Sequence, residues 1–204
     1  GNSLDVLKCL LHKFNLTPND ARAYNNEALR EACTQGRLDI LKCLHIDFEL
    51  DAEDARTNNN EGLRMACFHG HANIVLYLHD AFGLGAEDAR ADDNYALRLS
   101  AGKGHLEVLR LLKSKYKLTI KDARSHKNEA LRTAATEGHL EILKDLKEQW
   151  HLTPNDARAK RNDALRMSVY KGHIEVVRHL RQHWHLTTND ARAYHNAALK
   201  TAIL

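Results

Sequence analysis

The chain has 204 residues, 43% hydrophobic and 28% charged, with a formal net charge of +3. It contains no apolar run near the ~18 residues of a membrane span, no signal peptide at its start, and no Cys-x-x-Cys pair of the kind that binds zinc. The charge is uneven: residues 1–102 carry 10 Lys+Arg against 16 Asp+Glu, and residues 103–204 carry 20 against 11.

In chain order, an apolar helix from Leu4 to Leu10 comes first, then the stretch Leu16-Thr17-Pro18-Asn19-Asp20-Ala21-Arg22. Its Asp-Ala-Arg triplet starts again at Asp54, Asp88, Asp122, Asp156 and Asp190, always 34 residues on. A fixed period of this size means stacked repeats, each unable to bury its apolar face alone. We therefore expect one repeat domain over 1–204: a partial repeat 1–15, repeats 16–49, 50–83, 84–117, 118–151 and 152–185, and a partial repeat 186–204. Both ends fall mid-repeat and the chain opens Gly-Asn-Ser, so a piece of a longer protein is expected, or ends that pack imperfectly.

Within a repeat, Thr17 and its equivalents Asp51, Gly85, Thr119, Thr153 and Thr187 are all N-cap formers. Pro18 and Pro154 follow directly, at the first helical position, where a missing N–H costs nothing. Asp20 and its copies stand three after the cap, placed to reach back to the cap's own N–H. The spacing predicts a short helix that stops near Asn25, with Asn26, Asn60, Asn94, Asn128, Asn162 and Asn196 capping a second helix. Small residues at 28 and 32 share one face of that helix and let a neighbouring repeat approach. Gly36, Gly70, Gly104, Gly138 and Gly172 end it in a left-handed conformation.

A third helix follows, with an apolar stripe such as Leu140, Ile142, Leu143 and Leu146. It closes on an aromatic in every repeat: Phe14, Phe48, Phe82, Tyr116, Trp150 and Trp184. Such a register resembles a stacking ladder for a ligand, but core packing between repeats is the plainer reading. Cys9 and Cys43, and Cys33 and Cys67, sit one period apart and read as reduced, buried thiols of an intracellular, cytoplasmic protein.

Residues 27–44 resemble the helix pair of an ankyrin repeat, and Ala130-Leu131-Arg132-Thr133-Ala134-Ala135-Thr136-Glu137-Gly138-His139-Leu140-Glu141-Ile142-Leu143 resembles it more closely. Gly-His returns at Gly70-His71, Gly104-His105 and Gly172-His173. The resemblance implies an all-α, ankyrin-like α-solenoid, and a His that braces the interhelical turn. Two departures stand out. The family's Thr-Pro-Leu-His becomes x-Ala-Leu-Arg, and its projecting β-hairpin is replaced by the Leu-Thr-x-x-Asp-Ala-Arg helix start. Short helices or tight turns are expected in place of the hairpin fingers. A 34-residue period also fits tetratricopeptide repeats, whose Trp/Gly/Tyr/Ala/Pro pattern is absent. This flavour of repeat is similar to arrays of large DNA viruses, protists and amoeba-associated bacteria, where a host cytoplasm would be the setting.

Candidate chemistry is sparse. His179 and His183 lie four apart on one helix face, near His185, but no carboxylate or thiol completes a metal set. There is no nucleophile elbow, phosphate loop or zinc-hydrolase motif. Six copies of Asp and Arg read as caps and an ion-pair ladder between repeats, not as a catalytic dyad. We expect no enzyme, no cofactor, no metal and no small-molecule substrate.

The informative positions are those that vary between otherwise uniform repeats. They are the pairs Tyr24-Asn25, Asn58-Asn59, Asp92-Asp93, His126-Lys127, Lys160-Arg161 and Tyr194-His195, and the helix ends Phe68-His69, Gly102-Lys103 and Tyr170-Lys171. In ankyrin arrays the corresponding helix ends and finger tips face a concave groove, so the resemblance makes Tyr24, Asn25, Phe68, His69, Asp92, Asp93, Tyr95, Lys103, His126, Lys127, Lys160, Arg161, Tyr170, Lys171 and Tyr194 the candidate partner-binding set. Phe68, Tyr95, Tyr170 and Tyr194 are candidate aromatic anchors. Drift at solvated positions explains the polar variety equally well. The expected function is a protein–protein interaction scaffold. The alternative is nucleic-acid or acidic-ligand binding through the basic half, where Lys113, Lys115, Lys117, Lys121, Arg124 and Lys127 cluster.

Overall fold

A computed structural model describes residues 3–201. The described residues are all-α and contain no strand. They fall into two compact units, Gly1–Ala96 with Leu111–Lys117, and Leu97–Arg110 with Leu118–Leu204.

In the first unit, helix α1 (Ser3–Phe14) is the outer helix of the partial first repeat. The next repeat supplies a one-turn helix α2 (Pro18–Ala21), an inner helix α3 (Ala23–Thr34) and an outer helix α4 (Leu38–Ile46). The same trio returns as α5 (Ala52–Ala55), α6 (Thr57–His69) and α7 (Ala72–Asp80). In the following repeat the short and inner helices run together as α8 (Ala86–Gly102), before the outer helix α9 (Leu106–Ser114). The second unit holds α10 (Ile120–Ala123), α11 (Ser125–Thr136) and α12 (Leu140–Glu148). It continues with α13 (Pro154–Ala157), α14 (Ala159–Tyr170) and α15 (Ile174–Gln182), and then α16 (Thr188–Thr201).

Inner helices pack on inner helices: α3 on α6 in the first unit, α11 on α14 and α14 on α16 in the second. Small residues permit this. A Cβ added at Gly62 would lie 3.3 Å from the Cys33 sulfur, while Ala32, Ala66, Ala130, Ala134 and Ala164 are buried. The aromatic closing each outer helix is core: Phe48, Phe82, Tyr116, Trp150 and Trp184 are at most 4% exposed. The Tyr116 hydroxyl donates to the Val75 carbonyl at 2.8 Å. Phe14 differs, at 69% exposed. Helix α1 runs through Phe14, whereas α4 stops at Ile46 and lets the chain turn Phe48 inward. Cys33, Cys43 and Cys67 are buried free thiols, while Cys9 is exposed, against the expectation that all four are buried. Burial pushes the Cys33 thiol up to about 12.

The short helix is built as its residues dictate. Asp20 accepts from the Thr17 N–H at 2.8 Å, and Asp54, Asp88, Asp122, Asp156 and Asp190 do the same for their own caps. The helix ends sooner than expected, at Ala21, with Arg22 as its C-cap. Arginine at this position then reaches the next repeat. Arg22 pairs with Asp54 and Arg56 with Asp88 at 2.9 Å in the first unit. Arg124 pairs with Asp156 at 2.9 Å and Arg158 with Asp190 at 2.7 Å in the second. Each carboxylate of this ladder thus serves a cap and a neighbour at once. Burial works to raise Asp54 and Asp156, but the arginine and the cap N–H hold both below the usual carboxylate range.

Gly-His makes a second inter-repeat joint. His71 Nε2 lies 3.0 Å from the Thr34 carbonyl, and His139 Nε2 3.1 Å from that of Gly102. The rings of His71, His139 and His173 rest on Gly36, Gly104 and Gly138, where a Cβ would sit 2.7 Å from ring atoms. These glycines are required by a positive φ and by the ring above them.

Candidate interaction surface

Within the first turn assigned to the inner helices α3, α6, α11 and α14, the backbone kinks in a way the sequence pattern does not announce. Tyr24, Asn25 and Asn26 are all left-handed, with φ of 52, 56 and 58°. Asn58–Asn60, Asp92–Asn94, His126–Asn128 and Lys160–Asn162 repeat the conformation. Left-handed backbone costs about 1–2 kcal/mol per residue for an L-amino acid, and runs of it are rare. Asn, Asp and His tolerate it best, but Tyr24, Lys127, Lys160 and Arg161 are left-handed too without that preference.

The stabilising residue is the arginine that closes each Ala-Leu-Arg or Gly-Leu-Arg. Arg30 donates from Nε to the Asn25 carbonyl at 3.0 Å and from Nη2 to Tyr24 at 3.1 Å. Arg64 holds Asn59 and Asn58 in the same way. In the second unit Arg132 holds Lys127 at 3.0 Å and His126 at 3.3 Å, and Arg166 holds Arg161 at 3.1 Å. The remaining guanidinium nitrogen meets an acid of the next repeat: Arg30 with Glu61 at 2.7 Å and Arg64 with Asp92 at 3.2 Å. Arg98 with Glu129 and Arg132 with Asp163, both 2.7 Å, do so in the second unit. One planar fork therefore clamps a tip and joins two repeats, which a lysine cannot do.

The third tip residue turns inward. Asn26, Asn60, Asn128 and Asn162 are buried. The Asn162 amide donates to the Asp190 carbonyl at 3.1 Å, across to the next repeat. Among the described residues the side-chain oxygens of these asparagines accept no hydrogen bond, so they do not cap the inner helix. The expected cap is corrected: burial between repeats removes the side chain from its own helix start, and at Asn162 turns it into an inter-repeat donor.

The first two tip residues turn outward. Tyr24 is 82% exposed, and Asn25, Asp92 and Asp93 of the first unit are exposed. In the second unit His126, Lys127, Lys160 and Arg161 are exposed. The candidate helix ends are less uniform. His69, Lys103 and Lys171 are exposed and Tyr170 is 52% exposed, but Phe68 is half-buried, its ring 4.8 Å from that of His69. Tyr95 is half-buried, 5.2 Å below the Arg64 guanidinium. The side chains of Tyr194 and His195 lie outside the described residues. Tip and helix end sit at opposite ends of the inner helix, some eight residues or ~12 Å apart.

The basic run from Lys113 to Lys127 is partly matched within the fold. Lys115 reaches Asp80 at 3.4 Å, Lys117 folds onto the Ser114 carbonyl at 2.5 Å, and Arg124 is committed to Asp156. His179 is buried, with its ring 4.6 Å from that of His183. Burial and then the neighbouring His183, Lys144 and Lys147 lower it to about 4. Among the described residues no group of three His, Cys, Asp or Glu is placed to hold a metal, and no helix is long and apolar enough to cross a membrane.

Comparison with family models finds ankyrin repeats, in three copies, over residues 63–156. No curated protein matches the chain.

Proposed function

We propose that this chain, an ankyrin-repeat protein by its 63–156 segment, captures a protein partner through the exposed tips and ends of its inner helices. Ankyrin repeats are in general protein–protein interaction modules and typically not enzymes. The unbroken 34-residue step supports reading 1–204 as a single repeat domain. One observation carries the finer reading: the residues that repeat without change hold the backbone of each tip, and those that vary, from Tyr24-Asn25 to Lys160-Arg161, are the exposed ones. Such a surface is preorganised, so little ordering entropy is lost on binding and modest contacts suffice. Tyr24 and Tyr170 are the best-exposed anchors. Tyr24→Ala with Tyr170→Ala is expected to abolish partner capture while helicity and melting stay near those of the parent. Undiminished capture overturns the assignment.

A second reading, nucleic-acid or acidic-ligand binding, draws on the basic tips of the second unit. Binding of generic nucleic acid that falls steeply with salt would support it. No binding at low salt removes it.

A further inference from the structure

We infer that the two basic tips of the second unit, His126-Lys127 and Lys160-Arg161, form a docking site for an acidic peptide in the polyproline-II conformation, with a carboxylate at every third residue. This deepens the protein-binding reading above and rests on it.

The acids that follow these tips are already matched within the fold: Glu129 by Arg98, with His126 Nδ1 also 3.8 Å away, and Asp163 by both Arg132 and Arg166 at 2.7 and 2.9 Å. Lys127 and Lys160 take part in none of these pairs, and both are exposed. The inner-helix arginines satisfy the local acids, and the tip lysines remain as the charge offered outward. An acidic partner fits it.

The pitch of the repeats sets the spacing of the charges. The two tips are equivalent positions of neighbouring repeats whose inner helices α11 and α14 pack side by side. Packed helices lie about 8–10 Å apart. A polyproline-II chain has three residues per turn and rises about 3.1 Å per residue, so residues i and i+3 share a face about 9.3 Å apart. Carboxylates at that interval meet one tip each. In an extended strand, same-face residues recur about every 6.6 Å and fall out of step. Duplex nucleic acid presents a phosphate about every 3.4 Å per strand, much denser than the tips, and neither tip carries a Phe, Tyr or Trp on which a base could stack.

The tips are also rigid. Arg132 and Arg166 hold the tip carbonyls, so the lysines project from a fixed backbone.

The test uses the chain with four substitutions, His126→Asn, Lys127→Asn, Lys160→Asn and Arg161→Asn. The first unit builds the same left-handed tip from Asn58-Asn59-Asn60, so the variant retains the backbone and loses only the charge. Circular dichroism and melting verify this. Fluorescence anisotropy at low salt then compares three probes of equal charge: a labelled peptide of repeated Glu-Pro-Pro triplets, a peptide of the same composition with its glutamates contiguous, and a single-stranded oligothymidylate. The parent chain is expected to bind the periodic peptide at least threefold more tightly than the contiguous one, and the oligothymidylate more weakly than either. The variant is expected to lose at least tenfold for the periodic peptide. Equal affinity of parent and variant, no binding by the parent, or a preference for the oligothymidylate overturns the inference. Partner capture by the same variant separates the two readings. Capture that persists through Tyr24 and Tyr170 alongside a failed peptide test leaves the interaction module standing and removes only this site. Failure of the parent to capture any protein removes the module.

Discussion

Replacing Arg132 tests whether one arginine both shapes a tip and ties two repeats together. Its guanidinium makes three charge-assisted bonds, to Asp163 at 2.7 Å, to the Lys127 carbonyl at 3.0 Å and to the His126 carbonyl at 3.3 Å, and the residue is 8% exposed. Removing one partner of a buried ion pair typically costs about 3–5 kcal/mol. Asp163 is not orphaned here, because Arg166 still holds it at 2.9 Å, and the two freed carbonyls lie at an exposed tip. The expected loss for Arg132→Ala is therefore lower, about 2–3 kcal/mol. At about 2–4 °C per kcal/mol for a chain of this size, that lowers the melting temperature by roughly 5–10 °C. Arg132→Lys keeps the charge but not the fork, and is expected to recover less than half of the loss. Arg178→Ala is the control: its pair with Glu175 is 64% and 69% exposed, and its removal costs below about 0.5 kcal/mol. Urea and thermal unfolding followed by circular dichroism and tryptophan fluorescence give both values, with coincidence of the two probes as the check on two-state behaviour. If Arg132→Ala and Arg178→Ala unfold at the same midpoint, the clamp is incidental and the account of the left-handed tip is wrong.

Other predictions follow from the joints. Gly138→Ala places a methyl 2.7 Å from the His173 ring at a φ of +82°, whereas Gly172→Ala, at +74°, meets nothing within 4 Å. The second measures backbone strain alone, about 1 kcal/mol, and the first is expected to cost at least 1 kcal/mol more; equal losses would show that the His ring exerts no constraint. His179 is held neutral in the fold at about 4 against an ordinary 6.5. The folded state therefore binds fewer protons than the unfolded chain between those values, and stability contributed by the buried neutral ring is present above pH 6.5 and lost as pH falls toward 4, by up to about 3 kcal/mol. His179→Leu is expected to flatten that slope in urea titrations, and an unchanged slope assigns it elsewhere. Below that window the carboxylates of the ladder, Asp54, Asp156 and Asp190, lose their contribution as they protonate through depressed values. Tyr170→Ala, at a half-exposed site, is expected to leave the melting temperature unchanged, and Phe68→Ala, half-buried, to lower it by a few degrees; the reverse order would exchange their roles.

Much of the joint was legible in the sequence because each part has a local cause. Thr17 with Asp20 reads as a reciprocal cap, Gly36 as a left-handed helix end, and the repeated Asp-Ala-Arg as an ion-pair ladder. The left-handed tip was not legible. Intrinsic preference argues against three such residues in a row, and what holds them, Arg30 for Tyr24 and Asn25, stands five and six positions later in the chain. The available signals were indirect: the runs Asn58-Asn59-Asn60 and Asp92-Asp93-Asn94, and an arginine returning at 30, 64, 98, 132 and 166 where the ankyrin pattern has His. The candidate residues were chosen by variability, which locates surface but does not separate Tyr24, fully projected, from Tyr95, lodged under Arg64. That distinction depends on the arginine clamp and so on structure.

On the function proposed above, constant residues build the joints and variable tips meet the partner. Hydrogen exchange of the chain with and without its captured protein partner tests it most directly. Slowed exchange on binding is expected to concentrate in the tips, 24–26, 126–128 and 160–162, and in the inner helices that follow them. Protection confined to the outer helices α4, α7, α12 and α15, with the tips unchanged, would contradict it.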